Sequence, residues 1–415
     1  MRSRKRVVLT GLGAIAANGI GADAFWKTLS QGKSGIGYIT LFDASQFPIR
    51  LAAEVKGFKL QDIVGKPMAS RRMARHTQFA VAATHMATEM ASLNVQACAR
   101  RSPLAIVVGV STSAFDVIEH GKERMQAGGP SRVSAYFTES SQPHGVATML
   151  SRTLEVQVRC QTISSACASG LEAIAQAASL IRSGKFDVVI TGGTDATVTP
   201  LAFASFMSAG MLPTSNGGDP TTASRPFDLK RNGGIVGEGS AMFVLESLTH
   251  AQARGAIPLL EIHGFGSMID EPGAPTASGL EQTMAAALEN SGRYPEEVQY
   301  ICAHGPSDKI QDEVETDAIK IVMGKYARHI PVSSIKGVIG NPLSAAGPLE
   351  LASCALAMRH GMLPPTANYK YPDPKCDLDY IPPPGRPQAL RRALINVHGM
   401  GGMNGSLFVE AFDSA

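Results

Sequence analysis

The chain has 415 residues, 44% hydrophobic and 18% charged, with 42 glycines, 25 prolines and one tryptophan. That length holds two domains or one large duplicated α/β unit, and the composition excludes a disordered or fibrous chain. A net charge of +3 without a basic, aromatic-interleaved run gives no ground for a nucleic-acid partner, and apolar runs stop short of the roughly 18 residues of a membrane span.

Lys5–Thr10 reads as a first strand, which sets the basic Met1–Arg6 apart from a signal peptide; the chain is expected to be cytoplasmic and unprocessed. Gly11-Leu-Gly13-Ala-Ile-Ala16 then fits the glycine turn of a dinucleotide site. Asn18-Gly19 and Gly21 break the helix such a site opens, and no acid-ended strand follows about 20 residues later. A nucleotide site is therefore not expected. Residues 66–92 carry a basic cluster, Lys66, Arg71, Arg72 and Arg75, running into an Ala-rich helix. It reads either as a solvated helix start or as a docking patch for an acidic partner. Leu104–Val110 predicts a buried strand, residues 125–145 a polar, Gly-rich loop, and Leu154–Cys160 alternates as a strand does.

Gln161-Thr-Ile-Ser-Ser-Ala-Cys167-Ala-Ser-Gly170 follows. Leu171, Ile174, Ala175, Ala178 and Ile181 recur at helical spacing until Gly184, and Phe186–Thr191 predicts another strand. Cys167 thus falls where a strand turns into a buried helix. Unpaired amides and partial positive charge at a helix start depress a thiol pKa and can hold an oxyanion. A small core residue is the competing reading. The other five cysteines (98, 160, 302, 354, 376) show no zinc spacing and read as reduced thiols, with no metal expected.

Downstream come Gly192-Gly-Thr-Asp195, Ser224-Arg-Pro-Phe-Asp228, Gly233–Gly239, a strand at Met242–Leu245, a helix near Ser247–Arg254 and a strand at 258–266. Residues 264–279, rich in glycine and proline, read as mobile. Gln299–Ala303 is a strand ending at His304, with Asp312 and Glu315 on the next helix. Ile330–Lys336 is another strand, leading to Gly340-Asn341-Pro342 and an apolar helix that contains Glu350. Ala393–Val397 runs into His398-Gly-Met400-Gly-Gly-Met-Asn404-Gly-Ser406, and Leu407–Glu410 is a last strand. Strands alternate with helices, so an α/β fold is expected. No sequence repeat is visible.

Taken in order, Val7–Gly13, Ser164–Ser169, Gly192–Asp195, Arg225–Asp228, Val236–Gly239, Ala303-His304-Gly, Ser333–Lys336, Ala345–Gly347 and Gly399–Ser406 resemble the β-ketoacyl-acyl carrier protein synthases nearly end to end. The resemblance implies the thiolase fold, a five-layered αβαβα sandwich of two similar halves, here placed at 1–255 and 256–415. It implies a type II ketosynthase that joins an acyl-cysteine to decarboxylated malonyl-carrier protein. Phosphopantetheine is supplied by the acyl carrier protein, and no cofactor is bound. Partners are the acyl carrier protein, acyl and malonyl thioesters, and a second chain in a homodimer or ketosynthase heterodimer. By the same resemblance, Cys167 is the nucleophile and its amide with that of Met400 forms the oxyanion hole. His304 is the first histidine, Lys336 the family lysine and Glu350 a structural acid. Asp312 and Glu315 support the network near His304. The basic cluster, read from its charge, is the candidate contact for the carrier protein.

The departures are equally specific. Asn341 stands where the family has its second histidine, and an amide donates a hydrogen bond but exchanges no proton near neutrality. A Cys-His-Asn set resembles that of type III synthases; the alternative is that Asn341 only favours a turn before Pro342. Both threonines of the family's His-Gly-Thr-x-Thr are lost in His304-Gly-Pro-Ser-Asp308. Two phenylalanines of the glycine loop are His398 and Met400, the second at the acyl gate, where methionine is adaptable. His398 is either an ordinary hydrogen-bonded histidine or a replacement imidazole. These deviations favour polyketide or related secondary metabolism over housekeeping fatty acid synthesis. A transferase without decarboxylation and a silent, chain-length-factor-like partner are the alternatives. Such partners typically lack the cysteine, and a thiolase would need a second one in the glycine loop.

Overall fold

The computed structural model describes residues 5–65, 70–273 and 278–413. Five strands come from the first part of the chain: β1 (Val7–Ala16), β2 (Leu104–Gly109), β3 (Arg159–Ile163), β4 (Val188–Ala196) and β5 (Glu238–Ser247). Six come from the second: β6 (Leu260–Ile269), β7 (Tyr300–Cys302), β8 (Pro331–Ser333), β9 (Asp379–Tyr380), β10 (Arg392–Gly399) and β11 (Met403–Ala411). They lie in the order β9-β8-β7-β10-β11-β6-β1-β5-β4-β2-β3.

That order contains a duplication. From the outer edge inward, the first set runs third, second, fourth, fifth, first in its own chain order. The second set repeats this once the edge strand β9 is set aside. The directions repeat too: the outer three strands are parallel, and the inner two pair antiparallel. The sets join where Val7, Val8 and Leu9 of β1 face Ile262, Glu261 and Leu260 of β6.

Helices complete five layers. α1 (Arg75–Met90) covers one face of the first set, and α2 (Ser169–Arg182) packs on its other face against α5 (Ala346–His360). α3 (Leu280–Ser291), with α4 (Lys309–Met323) packed on it, covers the far face of the second set. Period-two alternation distributes strand side chains between cores. Val107 of β2 and Ile395 of β10 enter the middle core, while Ile106 and Val108 face the α1 side and Leu394 the α3 side. Residues 346–357 of α5 are all buried, the charged member Glu350 included. No helix among the described residues is long and apolar enough to cross a membrane.

Several expected elements differ. β1 does not turn at Gly11 but continues to Ala16. A Cβ at Gly11 would lie 2.1 Å from the Ala87 carbonyl oxygen, and one at Gly13 2.0 Å from that of Ala83. These glycines admit the backbone of α1, which explains the nucleotide-like spacing without a nucleotide. The strand read at 154–160 begins only at Arg159 and runs to Ile163. The expected loop at 125–145 carries the end of a helix Phe115–Gly128 and another at Phe137–Ser141. Gly121 is the sole buried residue of the longer helix, so no apolar stripe announces it. Of the stretch read as mobile, residues through Ile269 belong to β6, and 274–277 lie outside the described residues.

Candidate active site

β3 delivers the chain to a tight elbow, where Ala166 takes a left-handed φ of 49° and Cys167 follows just ahead of α2. Serines hold the bend. The Ser165 amide donates to Ser169 Oγ at 2.8 Å, Ser169 Oγ donates to the Ala166 carbonyl at 2.5 Å, and Ser165 Oγ donates to Glu172. The glycine loop after β10 closes over this elbow. A Cβ at Gly399 would sit 2.8 Å from the Cys167 nitrogen, so only glycine lets the two backbones meet. The next amide, that of Met400, hydrogen-bonds the Cys167 sulfur.

A cavity of about 250 Å³ opens over Cys167, lined also by His304, Asn341, His398 and Met400. Residues from four distant stretches of sequence therefore converge. His304 follows β7; its backbone amide donates to Glu315 at 2.9 Å and that of Gly305 to the same carboxylate at 2.8 Å. Asn341 sits in the turn before α5, and its Oδ1 accepts from the Leu343 amide at 3.3 Å. With the carbonyl oxygen so engaged, the amide NH₂ is the group hydrogen-bonded to Cys167 sulfur. Turn-former and pocket residue are thus the same asparagine.

The electrostatics reverse one expectation. Burial pushes the Cys167 thiol up to about 11, and Lys336, the Met400 amide and Asn341 only partly counteract it. Desolvation is the largest influence on this thiol, and the nearby Asp195 carboxylate adds to it. Burial, Lys336 and His398 hold His304 well below the ordinary imidazole range. Lys336 is itself fully buried and ion-paired with Glu350, whose carboxyl burial raises to about 7. His398 donates through Nδ1 to Asn404 Oδ1 at 2.8 Å and meets His304 edge to face, with ring centroids 6.1 Å apart.

The family model "Beta-ketoacyl synthase, N-terminal domain" matches residues 4–251, and "Beta-ketoacyl synthase, C-terminal domain" matches residues 259–370. The chain belongs to the β-ketoacyl synthase family. It is 37% identical to the tetracenomycin polyketide synthase ketoacyl synthase alpha subunit of Streptomyces glaucescens, over 96% of each chain. It is 38% identical to 3-oxoacyl-[acyl-carrier-protein] synthase 2 of Synechocystis sp., over 99% of each. The solved ishigamide ketosynthase/chain length factor superposes with a TM-score of 0.91 at 33% identity, covering 99% of this chain and 100% of the other. The fold is that of the thiolase-like ketosynthases.

In this β-ketoacyl synthase the other expected site residues are spread more widely. Glu315 holds the His304 backbone, but Asp312 does not reach it. Asp312 accepts the Phe227 amide at 2.7 Å and faces the buried Arg231, and burial raises its carboxyl to about 8. Arg75 points inward instead of presenting a docking charge: its guanidinium grips Glu238 at 2.6 and 2.7 Å and the Val55 carbonyl at 2.9 Å. Arg72 is exposed and lies 4.4 Å from the Tyr136 ring centroid. Lys66 and the Arg71 side chain lie outside the described residues. Met400 is 46% exposed at the cavity.

Sequence reasoning passed over several residues that shape the site. Asp195 of the quoted Gly-Gly-Thr-Asp motif accepts Ser111 Oγ at 2.7 Å and the Ser344 amide at 2.9 Å, tying the Asn341 turn to β4. Asp308, which replaces a family threonine, lines the cavity and caps α4 by accepting the Ile310 and Gln311 amides, each at 2.9 Å. Its position immediately before the acid-rich helix was a readable capping signal. Asp270, which accepts Asn404 Nδ2 at 2.7 Å, gave no sequence signal at all.

Proposed function

We propose that this β-ketoacyl synthase forms a carbon–carbon bond by decarboxylative Claisen condensation, with Cys167, His304 and Asn341 as the reacting set. The convergence of these three side chains and two backbone amides on one cavity carries the reading. Cys167 sulfur attacks the acyl thioester on a carrier-protein phosphopantetheine arm, and the arm's thiol leaves. The amides of Cys167 and Met400 face the oxyanion of that tetrahedral intermediate. A malonyl thioester follows. His304 Nε2 and the Asn341 amide donate to its carbonyl, CO2 departs with its electrons left in the enolate, and the enolate carbon attacks the acyl-cysteine. The β-ketoacyl chain leaves on the carrier protein and the Cys167 thiolate is released. Lys336 keeps positive potential behind the thiolate, with Glu350 as its structural counter-ion; Met400 and His398 border the acyl chain.

Phosphopantetheine belongs to the incoming substrate, and the enzyme needs no bound cofactor of its own. The acyl carrier protein meets the surface around Arg72. The names of the relatives include a polyketide ketoacyl synthase alpha subunit and a ketosynthase/chain length factor beside a 3-oxoacyl-[acyl-carrier-protein] synthase, and the altered motifs at His304 and in the glycine loop favour the polyketide-type pathway. β3 is the sheet's outer strand, with Arg159 and Cys160 exposed, and offers a pairing edge to a second chain, identical or not. The two halves divide at 255/256, in keeping with the repeated strand order. A cytoplasmic location suits cysteines read as thiols.

The test supplies purified protein with acyl- and malonyl-carrier proteins and follows CO2 and the β-ketoacyl product together. Both appear in wild type, and Cys167→Ala yields no β-ketoacyl product. Acyl transfer without CO2 makes the protein a transferase and refutes the condensation.

A further inference from the structure

A thiol held at about 11 needs a base before it can attack, and the amide of Asn341 cannot serve. Two imidazoles line the cavity with Cys167, His304 and His398. Their surroundings differ in kind. Among the described residues Nδ1 of His304 is buried without a hydrogen-bond partner, so nothing fixes its tautomer, and the Lys336 cation opposes its protonation. His398 is held by a chain of bonds. Asn404 Nδ2 donates to Asp270 at 2.7 Å, to the Gly402 carbonyl at 3.0 Å and to the Met268 carbonyl at 3.2 Å. With both N–H bonds of its NH₂ taken up by these acceptors, Asn404 can only offer Oδ1 to His398, which it does at 2.8 Å. The proton of neutral His398 therefore resides on Nδ1, and Nε2 keeps its lone pair.

We propose that His398 is the general base that removes the Cys167 thiol proton, its Nε2 made available by the Asp270–Asn404–Nδ1 hydrogen-bond chain. The proposal rests on the acyl-cysteine reading above. In the step, Nε2 takes the sulfur's proton directly or across one solvent molecule of the shared cavity. The thiolate forms its bond to the acyl carbon, the thioester C–S bond breaks, and the departing pantetheine thiolate takes the proton back from Nε2. The next residue, Gly399, lies against the Cys167 backbone, which keeps base and thiol on the same wall of the cavity. The groups facing His398 are Asn404 and Asp270 on the Nδ1 side and His304 edge-on, with Cys167 lining the same cavity. Burial lowers its pKa, while Asn404 and Asp270 act to raise it.

Iodoacetamide reads this step without any carrier protein. Peptide mass spectrometry follows carbamidomethylation of Cys167 against pH, the other cysteines serving as internal controls. In wild type the rate falls off in acid as His398 protonates, at a pH below the ordinary imidazole value. His398→Phe abolishes that acid limb and slows the neutral-pH reaction by about 100-fold or more. Free imidazole restores part of the rate in His398→Gly. Asp270→Asn removes the negative charge behind Asn404 and moves the limb to lower pH. A His398→Phe protein that melts as wild type does and keeps both limb and rate overturns the proposal, as does an unmoved limb in Asp270→Asn. A wild type that alkylates as described yet releases no CO2 from malonyl-carrier protein refutes the condensation instead.

Discussion

Replacing Lys336 by methionine strands Glu350 in the middle layer, where both side chains of the pair are essentially without solvent. Removing one member of a buried ion pair costs about 3–5 kcal/mol. The lower end applies here, because the Glu350 carboxyl already sits near 7 with lysine present and escapes the penalty by taking up a proton. Its folded pKa then rises further above the unfolded value of about 4.3. A group whose pKa is raised on folding stabilises fully below its unfolded pKa and loses that contribution as pH rises, so the deficit in Lys336→Met deepens from acid toward neutral and alkaline pH. Restoring apolar complementarity with Lys336→Met/Glu350→Leu returns stability to near the wild-type level. Reactivity does not return with it. Lys336 is the largest influence lowering the Cys167 thiol, so in both variants the thiol titrates at still higher pH. Urea unfolding between pH 5 and 8, with iodoacetamide labelling of Cys167, measures the two effects separately. A double variant that regains the wild-type labelling profile would show that Lys336 acts only as a packing element and refute this reasoning.

Three further outcomes follow from the geometry. Gly399→Ala drives a Cβ to 2.8 Å from the Cys167 nitrogen; overpacking of this kind costs about 1–3 kcal/mol, and acyl-adduct formation falls with little change in carrier-protein affinity by titration. Asp312→Asn keeps an acceptor for the Phe227 amide but removes a carboxyl raised to about 8, so the decline in wild-type stability between pH 4 and 8 becomes shallower in the variant, as read by denaturant midpoints. Arg75→Ala uncovers the buried Glu238 and lowers the melting temperature without changing carrier affinity, whereas Arg72→Glu weakens carrier binding at unchanged stability. Equal effects of the two arginines in either assay would contradict the distinction between inner and outer charge.

Much of the architecture was legible because its strands are short apolar runs bounded by glycine and polar turns, and its helices carry periodic alanines and leucines. The duplication was legible only through the family resemblance. It resides in pairing order and direction, which strands with unrelated sequences can share, so no repeat appears in the residues themselves. Glycines misled at β1 because a glycine admitting a helix backbone and one making a turn look identical in sequence. At the site, Cys167, His304 and Asn341 were recognisable from their motifs, and the cavity does bring them together. What the motifs could not convey was burial: it raises the Cys167 thiol, and it turns Arg75 toward Glu238 and Asp312 toward Arg231. Asp195 and Glu238, prominent in the quoted motifs, proved to be buried acceptors for loop amides and hydroxyls near the site.

The central claim is that Cys167 carries the acyl chain, and intact-protein mass spectrometry after incubation with acyl-carrier protein tests it most directly. The account predicts one acyl adduct in wild type, none in Cys167→Ala, and discharge of the adduct when malonyl-carrier protein is added. An adduct that persists in Cys167→Ala, or a folded wild type with its partner chain that acquires none from any acyl donor, would contradict it.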